Sequence, residues 1–303
     1  MTEKYLGIDV GGTNIKFGIV NRKGELLTKV KHPTLKLRET DDFINAFVKK
    51  ISQQLKEQPH IKKVGIAVPG LISKDRKSTV FMANIPEFNN VALLSILEEK
   101  HPTISFFLDN DANAAGIGEL HFSKSKNVPS DFIFMTLGTG LGSAAILDGE
   151  IFKGGNGNAM EVGHIITSNG KTAEENMGKK AIVDMALSKI KKGKETYLKA
   201  KDLDSKAVVL ACTKADPVAV EVFEKVGTVL GEALVSTIRI LDIETVFIGG
   251  GVSKSFSIVR KNMHKELKKR LPDYYMNKLD IKLATLGNDA GILGAAALCF
   301  KND

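Results

Sequence analysis

Short apolar runs, broken by turns rich in glycine and polar residues, make up the beginning of the chain. Tyr5–Val10 and Ile15–Val20 flank one glycine turn, and the polar turn 21–24 separates them from Glu25–Val30. Apolar runs of this length between turn residues are typical of β-strands. The pattern therefore predicts a strand meander.

A helical spacing of apolar residues follows the meander. Between residues 42 and 55 apolar residues recur three or four positions apart, at Phe43, Ile44, Phe47, Val48, Ile51 and Leu55. This spacing predicts one amphipathic helix. Residues 64–68 and 106–108 return to short apolar runs that predict buried strands, and the alanine-rich segment 112–120 predicts another helix. Alternation of strands and helices predicts an α/β fold.

The chain contains an approximate internal repeat. Residues 6–20, LGIDVGGTNIKFGIV, and residues 134–147, FMTLGTGLGSAAIL, each consist of a strand, a glycine-rich turn and a second strand. A polar turn with a glycine follows each copy, at Gly24 and at Gly149. The duplication predicts two similar domains that face one another across a cleft.

The overall composition narrows the class of protein. The 303 residues, of which 43% are apolar, can form a sizeable core and exceed the length of one typical domain. No apolar segment reaches the roughly 18 to 20 residues that span a bilayer, and the first residues lack the pattern of a signal peptide. The cysteines, Cys212 and Cys299, are too far apart in sequence for a short-spacing metal or redox pair. We therefore expect a cytoplasmic protein without a membrane partner.

The net charge of +8 comes mostly from lysines in short clusters, such as those in residues 191–194 and 265–270. Such clusters are typical of solvated helix faces. A nucleic-acid surface usually adds interleaved aromatic or arginine residues, and this chain has no Trp and only four Tyr. We therefore expect no nucleic-acid partner.

The first glycine turn, residues 9–14, has the chemistry of a phosphate site. Gly11 and Gly12 let backbone N–H groups turn outward as an anion nest, and Thr13 adds a hydroxyl donor. Asp9, at the end of the strand, is placed to orient Mg²⁺ through water. A tight hairpin with a solvent-exposed aspartate explains this turn equally well.

Two further glycine turns change that balance. The turn at residues 138–142 lies between two predicted strands, which argues against a dinucleotide site because there the turn leads into a helix. Residues 249–251 follow a strand predicted at 245–248 and would let a flat nucleoside lie on the backbone. Ser253 stands where a P-loop has glycine before its lysine, which excludes that motif. Together the three turns favour nucleotide binding.

Polar side chains crowd the end of the strand predicted at residues 106–108. Asp109, Asn110, Asp111 and Asn113 lie within five positions of one another. A carboxylate near a helix N-terminus is stabilised in its ionised form by the helix dipole. An ordinary helix N-cap explains Asp111 alone, and the density of polar groups around it is what favours a catalytic site.

Two loops can supply ligands for sugar hydroxyls. Glu161 and His164 follow the glycine-rich segment 154–160, and Asn84 lies in another loop. These residues have simpler explanations as well, because a lone histidine is more often structural and Glu161 and His164 fit a surface pair three positions apart. The residues alone leave both interpretations open.

Six segments, taken in chain order, resemble the ROK (repressor, ORF, kinase) family. They are LGIDVGGTNIKFGIV, VGIAVPGLIS, LDNDANAAGIGE, MTLGTGLGSAAILDG, GNAMEVGHI and TVFIGGGVS, and they extend over nearly the whole chain. The resemblance implies an actin-like (ribonuclease H-like) duplicated two-domain ATPase fold, with ATP and a sugar in the interdomain cleft. It implies a small α/β domain of residues 1–119 with a C-terminal helix at 290–303, and a large α/β domain of residues 120–289.

The resemblance also implies roles for individual residues. Asp111 is similar to the base that takes the proton from the attacking sugar hydroxyl. The residues similar to sugar ligands are Asn84, Asn110, Glu161 and His164. The residues similar to the phosphate turns and the nucleoside side are Gly11, Gly12, Thr13, Gly138, Thr139, Gly140, Gly249, Gly250 and Gly251.

The chain departs from the family pattern after His164. Many members have a cysteine-rich zinc loop there, followed by a sugar-binding glutamate, but residues 165–173 contain no cysteine. His164 alone cannot supply the four ligands of a structural zinc site, so we expect no zinc. Glu174 takes the place of the later glutamate. Since the lost loop shapes the wall near the anomeric side of the sugar in this family, β-glucosides stay possible substrates beside free sugars.

The resemblance therefore implies a homodimeric kinase that uses ATP and Mg²⁺ to phosphorylate a hexose or hexose derivative, of the glucose or β-glucoside type, at the 6-hydroxyl. N-acetylmannosamine and allose are alternative substrates. A non-catalytic sugar-sensing regulator is the alternative from another class. Asp9, Gly11, Gly12 and Asp111 argue against that alternative. The family's repressors also carry a DNA-binding segment before the first glycine turn, which here begins after Leu6.

Overall fold

A computed structural model describes residues 3–138, 140–251 and 255–300. The strands within them are β1 Lys4–Val10, β2 Asn14–Asn21, β3 Leu26–Pro33, β4 Lys63–Val68, β5 Leu71–Ile72, β6 Thr79–Phe81, β7 Ser105–Asn110, β8 Phe132–Leu137, β9 Leu141–Leu147, β10 Glu150–Ile151, β11 Thr245–Gly250 and β12 Asp280–Leu283. The α-helices are α1 Thr34–Arg38, α2 Phe43–Glu57, α3 Leu93–Lys100, α4 Asp111–Phe122, α5 Ala173–Met177, α6 Lys179–Lys191, α7 Ser205–Thr213, α8 Pro217–Leu241, α9 Phe256–Arg270, α10 Asp273–Met276 and α11 Ala290–Ala297. Single 3₁₀ turns lie at Pro86–Phe88, Val162–His164, Gly287–Asp289 and Leu298–Phe300.

The first compact unit groups Met1–Ser130, Ala144–Met160 and Thr285–Asp303. Its five-stranded sheet has the order β3-β2-β1-β4-β7. β1 pairs antiparallel with β2 and parallel with β4, and β4 pairs parallel with β7. The carboxyl ends of β1, β4 and β7 therefore lie at one edge of the sheet, where the register aligns Asp9, Ala67 and Asp109.

Alternation along β1 separates the two faces of this sheet. Leu6, Ile8 and Val10 belong to the core that includes α2 and α3, whereas Tyr5 packs with residues of α11. A Cβ at Gly7, on the same face as Tyr5, would overlap the backbone of α11. The helix therefore lies directly on the strand.

The predicted meander and first helix are confirmed, with shifts of a few residues at their ends. The helix begins at Phe43 because Asp42 is its N-cap and accepts a hydrogen bond from the Asn45 backbone N–H at 2.9 Å. The strands predicted at 64–68 and 106–108 and the helix at 112–120 are confirmed as β4, β7 and α4.

The second compact unit groups Asp131–Ser143 and Glu161–Ala284, so that β9 passes from one unit into the other. The second five-stranded sheet has the order β10-β9-β8-β11-β12, of which β8, β11 and β12 lie wholly in this unit. The long helix α8 packs closely on α9, since a Cβ at Gly227 would overlap the backbone of Val259 and a Cβ at Gly231 would come within 2.8 Å of the Glu266 Cβ.

The two sheets confirm the duplication predicted from residues 6–20 and 134–147. In the first sheet, β3, β2 and β1 lie side by side in that order and are followed by β4 and β7. In the second sheet, β10, β9 and β8 are followed in the same way by β11 and β12. The structure divides into the two compact units given above. The domain boundaries expected after residues 119 and 289 stay a prediction. The strand predicted at 245–248 continues to Gly250, and so includes two of the three glycines.

Candidate active site

The first glycine turn is held in shape by a residue from another element. The Gly11 N–H donates to the Asn14 carbonyl at 3.0 Å, which closes the turn. Thr34, fully buried at the start of α1, donates its hydroxyl to the Gly11 carbonyl at 2.6 Å and its N–H to the Thr13 carbonyl at 3.0 Å. These hydrogen bonds fix the shape of the turn. The backbone N–H groups of Gly12 and Thr13 are the donors that we consider for a phosphate.

Asp9 lies at the end of β1 beside this turn. Its Oδ2 pairs with the Lys16 ammonium at 2.7 Å, and its side chain is 17% exposed. A Cβ at Gly291, in the first turn of α11, would lie 2.6 Å from the Asp9 Cγ. Only a residue without a side chain fits there, so glycine lets the carboxylate stand against the beginning of the helix. No local pattern in the sequence predicts this contact.

Asn84 reaches the same turn from the loop after β6. Its Cβ lies 3.3 Å from the position that a Cβ on Gly12 would take. Arg38 holds the loop, because it donates to the Asn84 carbonyl at 2.8 Å and pairs with Glu87 at 2.6 Å. The hydrogen bond from Arg38 lowers the pKa of the Glu87 carboxyl, so this pair is charged at neutral pH.

The junction of β7 and α4 carries the predicted base. Asn110 is the N-cap of α4 and accepts from the Ala112 and Asn113 backbone N–H groups at 2.8 and 3.2 Å. Its amide nitrogen donates to the Gly70 carbonyl at 3.1 Å. Asp111 is therefore the first residue of the helix, not its cap, and its Oδ1 accepts from the Ala112 N–H at 2.9 Å.

The second glycine turn is anchored by a carboxylate. The Gly138 N–H donates to the Gly140 carbonyl at 3.0 Å, and the Leu141 N–H donates to Glu174 Oε2 at 3.1 Å. A Cβ on Gly140 would overlap that carboxylate. Thr139, which the resemblance assigned to this turn, lies outside the described residues.

Glu174 is held by its own helix. Thr172 is the N-cap of α5, and it forms a capping box with Glu175. Glu174 lies between them in the first turn, so the capping box fixes the backbone that carries its side chain. Its carboxylate borders an open cavity of about 640 Å³ in the second unit, which His164 also lines.

Glu161, His164 and Glu174 form one cluster in the second unit. His164 Nε2 lies 3.8 Å from Glu161 Oε2, and the two side chains are 67% and 44% exposed. Partial burial raises the pKa of Glu161, the His164 charge opposes this change and the Glu174 carboxylate adds to it. The structure thus brings together three of the predicted sugar ligands.

The third glycine turn lies beside the second one. Gly250 ends β11 with a φ of +84° and aligns with Leu137 at the end of β8. A Cβ there would overlap the Leu137 backbone, so both the conformation and the space require glycine. Gly249 packs near Phe134 and Gly251 lies near Leu137, while residues 252–254 lie outside the described part of the chain.

The part of the chain that the structure describes holds neither a metal-ligand cluster nor a membrane-spanning helix. No group of three or more histidine, cysteine, aspartate or glutamate residues that could hold a metal ion occurs in the described part of the chain. Among residues 3–138, 140–251 and 255–300, no helix combines the length and apolar character that crossing a membrane requires.

Comparisons with known proteins agree over nearly the full length. The ROK family model matches residues 5–302. A glucokinase from Halalkalibacterium halodurans is 30% identical over 319 aligned positions, which cover 99% of this chain and 96% of that protein.

Two solved structures are similar to the whole chain. A candidate sugar kinase from Cytophaga hutchinsonii superposes with a TM-score of 0.90 at 36% identity, covering 98% of this chain and 100% of the other. A ROK family glucokinase from Streptomyces griseus, solved with glucose and AMPPNP, has a TM-score of 0.82 at 26% identity, with 99% and 100% covered. The predicted actin-like α/β fold is confirmed by these structures. The family match and the full-length relatives together show that the chain belongs to the ROK family.

Proposed function

We propose that this protein is an ATP-dependent sugar kinase that phosphorylates a hexose or hexose derivative at its 6-hydroxyl. The observation that carries the proposal is the position of Asp111, an acid at the first residue of α4, at the edge of the first sheet where Asp9 also lies. The names of the full-length relatives support a hexose kinase in general.

Asp111 is the proposed general base. A carboxylate in the first turn of a helix is favoured in its ionised form, so it can accept the proton of a sugar hydroxyl at neutral pH. The hydroxyl oxygen would then attack the γ-phosphorus of ATP as the bond to the leaving ADP oxygen breaks. The Asn110 cap fixes the start of α4, and so limits the positions that the Asp111 side chain can take.

The proposed sugar ligands offer carboxylate, imidazole and amide groups. Glu161, His164 and Glu174 offer two carboxylates and an imidazole in one cluster, a combination that suits neighbouring hydroxyl groups. Asn84 adds an exposed amide. Asn110 has one amide hydrogen committed to the Gly70 carbonyl, so its second hydrogen is the one we assign to a sugar oxygen.

The residues present fit ATP and Mg²⁺. Backbone N–H groups of the two glycine turns suit phosphate oxygens, and we assign the nucleoside to the backbone of Gly249, Gly250 and Gly251. Asp9 is partly exposed, and in the described contacts only one of its oxygens is paired. It can therefore serve as the carboxylate that holds Mg²⁺ through water. When bound, Mg²⁺ would neutralise charge on the phosphates.

Glucose or a β-glucoside is the substrate class we propose, with N-acetylmannosamine and allose as the alternatives. The open cavity beside His164 and Glu174 supports a sugar with a substituent, because its volume of about 640 Å³ leaves space next to two proposed ligands. We further propose that the protein is cytoplasmic and forms a homodimer. Light scattering on the purified chain would test the dimer.

The experiment is coupled ADP release with Mg·ATP over glucose, mannose, N-acetylmannosamine, allose, fructose and β-glucosides such as cellobiose. Phosphorus NMR of the product identifies the phosphorylated hydroxyl, and replacing ATP with GTP or polyphosphate tests the phosphoryl donor. Turnover on one sugar with ATP supports the proposal. Sugar binding without turnover on any donor would instead support a sensing role.

A further inference from the structure

Arg76 has a buried guanidinium that nothing in the proposed chemistry uses. It lies in the turn between β5 and β6 with a φ of +59°, a left-handed conformation that is uncommon for a residue other than glycine. Its side chain is only 11% exposed. None of its three guanidinium nitrogens, although buried, makes a hydrogen bond to any residue that the structure describes. A buried cation in this state calls for an electrostatic partner.

The partner is Asp109. Arg76 Nη1 lies 3.6 Å from Asp109 Oδ1, and the aspartate side chain is 5% exposed. The same oxygen accepts from the Asn110 backbone N–H at 2.8 Å and from the Asn113 amide at 2.9 Å. The guanidinium therefore neutralises a carboxylate that is already held by the first residues of the β7–α4 junction.

The glycine-rich segment 154–160 lies close to the guanidinium. A Cβ on Gly157, which has a φ of +93°, would lie 3.9 Å from Arg76 Cζ and 3.3 Å from Lys74 Cα. Asn158 fixes the segment to β5, because it accepts from the Ile72 N–H at 3.1 Å and donates to the Ile72 carbonyl at 2.9 Å. A loop that composition alone would make flexible is thus fastened close to the guanidinium.

The position of this ion pair gives it a consequence for the proposed base. Asp109 precedes Asp111 by two residues, so two carboxylates stand at one strand end. Without a cation, the negative charge of the buried Asp109 carboxylate would repel an incoming phosphoryl group. The Asn110 N–H and the Asn113 amide would then be the described donors to a buried charge that has lost its ion-pair partner, and such a charge is costly.

We infer that Arg76 is a positioning residue for phosphoryl transfer. By neutralising Asp109, it keeps the junction of β7 and α4 in the geometry that Asp111 and Asn110 need. The inference rests on the proposed function. It concerns a role exerted through Asp109 and Asn110, without contact of Arg76 with the sugar.

The test compares kcat and the sugar KM of Arg76→Met, Arg76→Lys and the double variant Arg76→Met with Asp109→Asn. Arg76→Met leaves Asp109 without its cation, and we expect kcat to fall about ten- to a hundredfold with a smaller change in KM. Arg76→Lys should keep kcat within a few fold, because an ion pair without a hydrogen bond needs the charge and not the planar fork. The double variant should regain most of the lost kcat, since it removes the uncompensated carboxylate as well.

A purely structural role would give a different result. Rates are therefore measured on the folded fraction, with thermal unfolding recorded for each variant and Arg22→Met, at an arginine that is 58% exposed, as the matched control. Normal kcat in Arg76→Met overturns the inference, as does a double variant no better than the single one. A wild-type chain that phosphorylates no sugar overturns the proposed function, and this inference with it.

Discussion

The Glu174 carboxylate accepts a hydrogen bond from the Leu141 backbone N–H at 3.1 Å, directly after the second glycine turn. A proposed sugar ligand is therefore fastened to the backbone of a proposed phosphate turn. Because Gly140 faces this carboxylate without a side chain, the two features depend on one another.

Gly140→Ala should weaken sugar binding. The new Cβ would overlap the Glu174 carboxylate and force it off the Leu141 N–H. Loss of one charge-assisted hydrogen bond corresponds to roughly a tenfold change, so we expect the sugar KM to rise by about that factor. Initial rates at saturating ATP measure it.

Two comparisons make this test specific. Gly155→Ala is the matched control, because a Cβ there meets no atom within 4 Å. Adding Gly140→Ala to Glu174→Ala should have little further effect on the sugar KM, since the clashing group is already gone. Independent, additive effects would show that Gly140 acts by some other route.

Asp111→Asn should abolish most turnover without unfolding the protein. Removal of a general base costs on the order of 10² to 10⁴ in rate, and asparagine keeps the shape of the side chain. Stopped assays for kcat and thermal unfolding measure the two quantities. Asp273→Asn is the control, because Asp273 is also the first residue of a helix and is exposed. Near-normal turnover in Asp111→Asn would remove Asp111 from the mechanism.

Glu161→Gln should raise stability at neutral pH while it weakens sugar binding. The fold raises the pKa of Glu161, mainly through burial, so the protonated form is favoured in the folded state. A carboxyl with a raised pKa contributes stability in acid, and that contribution is lost as the pH rises through the folded pKa.

The stability gain of Glu161→Gln should therefore be small below pH 4 or so and grow toward neutrality. Urea unfolding of both proteins over a pH series measures it. A gain that stays constant with pH would mean that the effect is not the Glu161 charge. The sugar KM of the same variant should rise, because one of the two acceptor oxygens of the carboxylate becomes an NH2 group, which donates hydrogen bonds and does not accept one from a hydroxyl.

Gly294→Ala should destabilise the first unit. Alanine normally favours a helix over glycine, but a Cβ on Gly294 would overlap the Ala114 carbonyl, where α11 crosses α4. We expect a loss of about 1 to 3 kcal/mol, as for other overpacked cores, with a lower Tm than Gly155→Ala. An unchanged or higher Tm would show that the two helices can separate without cost.

Local patterns were enough to predict the strands, the first helices and the glycine turns. Apolar spacing fixes such elements within a few residues, as at Asp42, where the side chain caps the helix that the spacing predicts. The duplicated sheet followed from two similar segments, because a repeated strand-turn-strand unit folds in the same way twice. The roles of individual site residues stay predictions, although Glu161, His164 and Glu174 do lie together.

Contacts between distant residues could not be predicted in the same way. Thr34 shapes the first glycine turn and Gly291 makes room for Asp9, yet both belong to elements far from the turn in sequence. Arg76 stands in a polar stretch, residues 73–78, where no local pattern predicts its burial. Its burial depends on the contacts of Gly157 with Arg76 and of Asn158 with β5. These residues are far apart in sequence, so no short stretch of sequence predicts the contacts.

The contact of α11 with β1 has a consequence for how the protein is made. The first unit forms its sheet from β1 to β4 and β7, but the helix that lies on Gly7 and Gly65 begins only at Ala290. Since chains fold from the N-terminus as they are synthesised, one apolar face of β1 and β4 stays uncovered until α11 has been made. The unit that begins first is thus completed last, and a nascent chain that stalls before residue 290 would expose the surface that chaperones recognise.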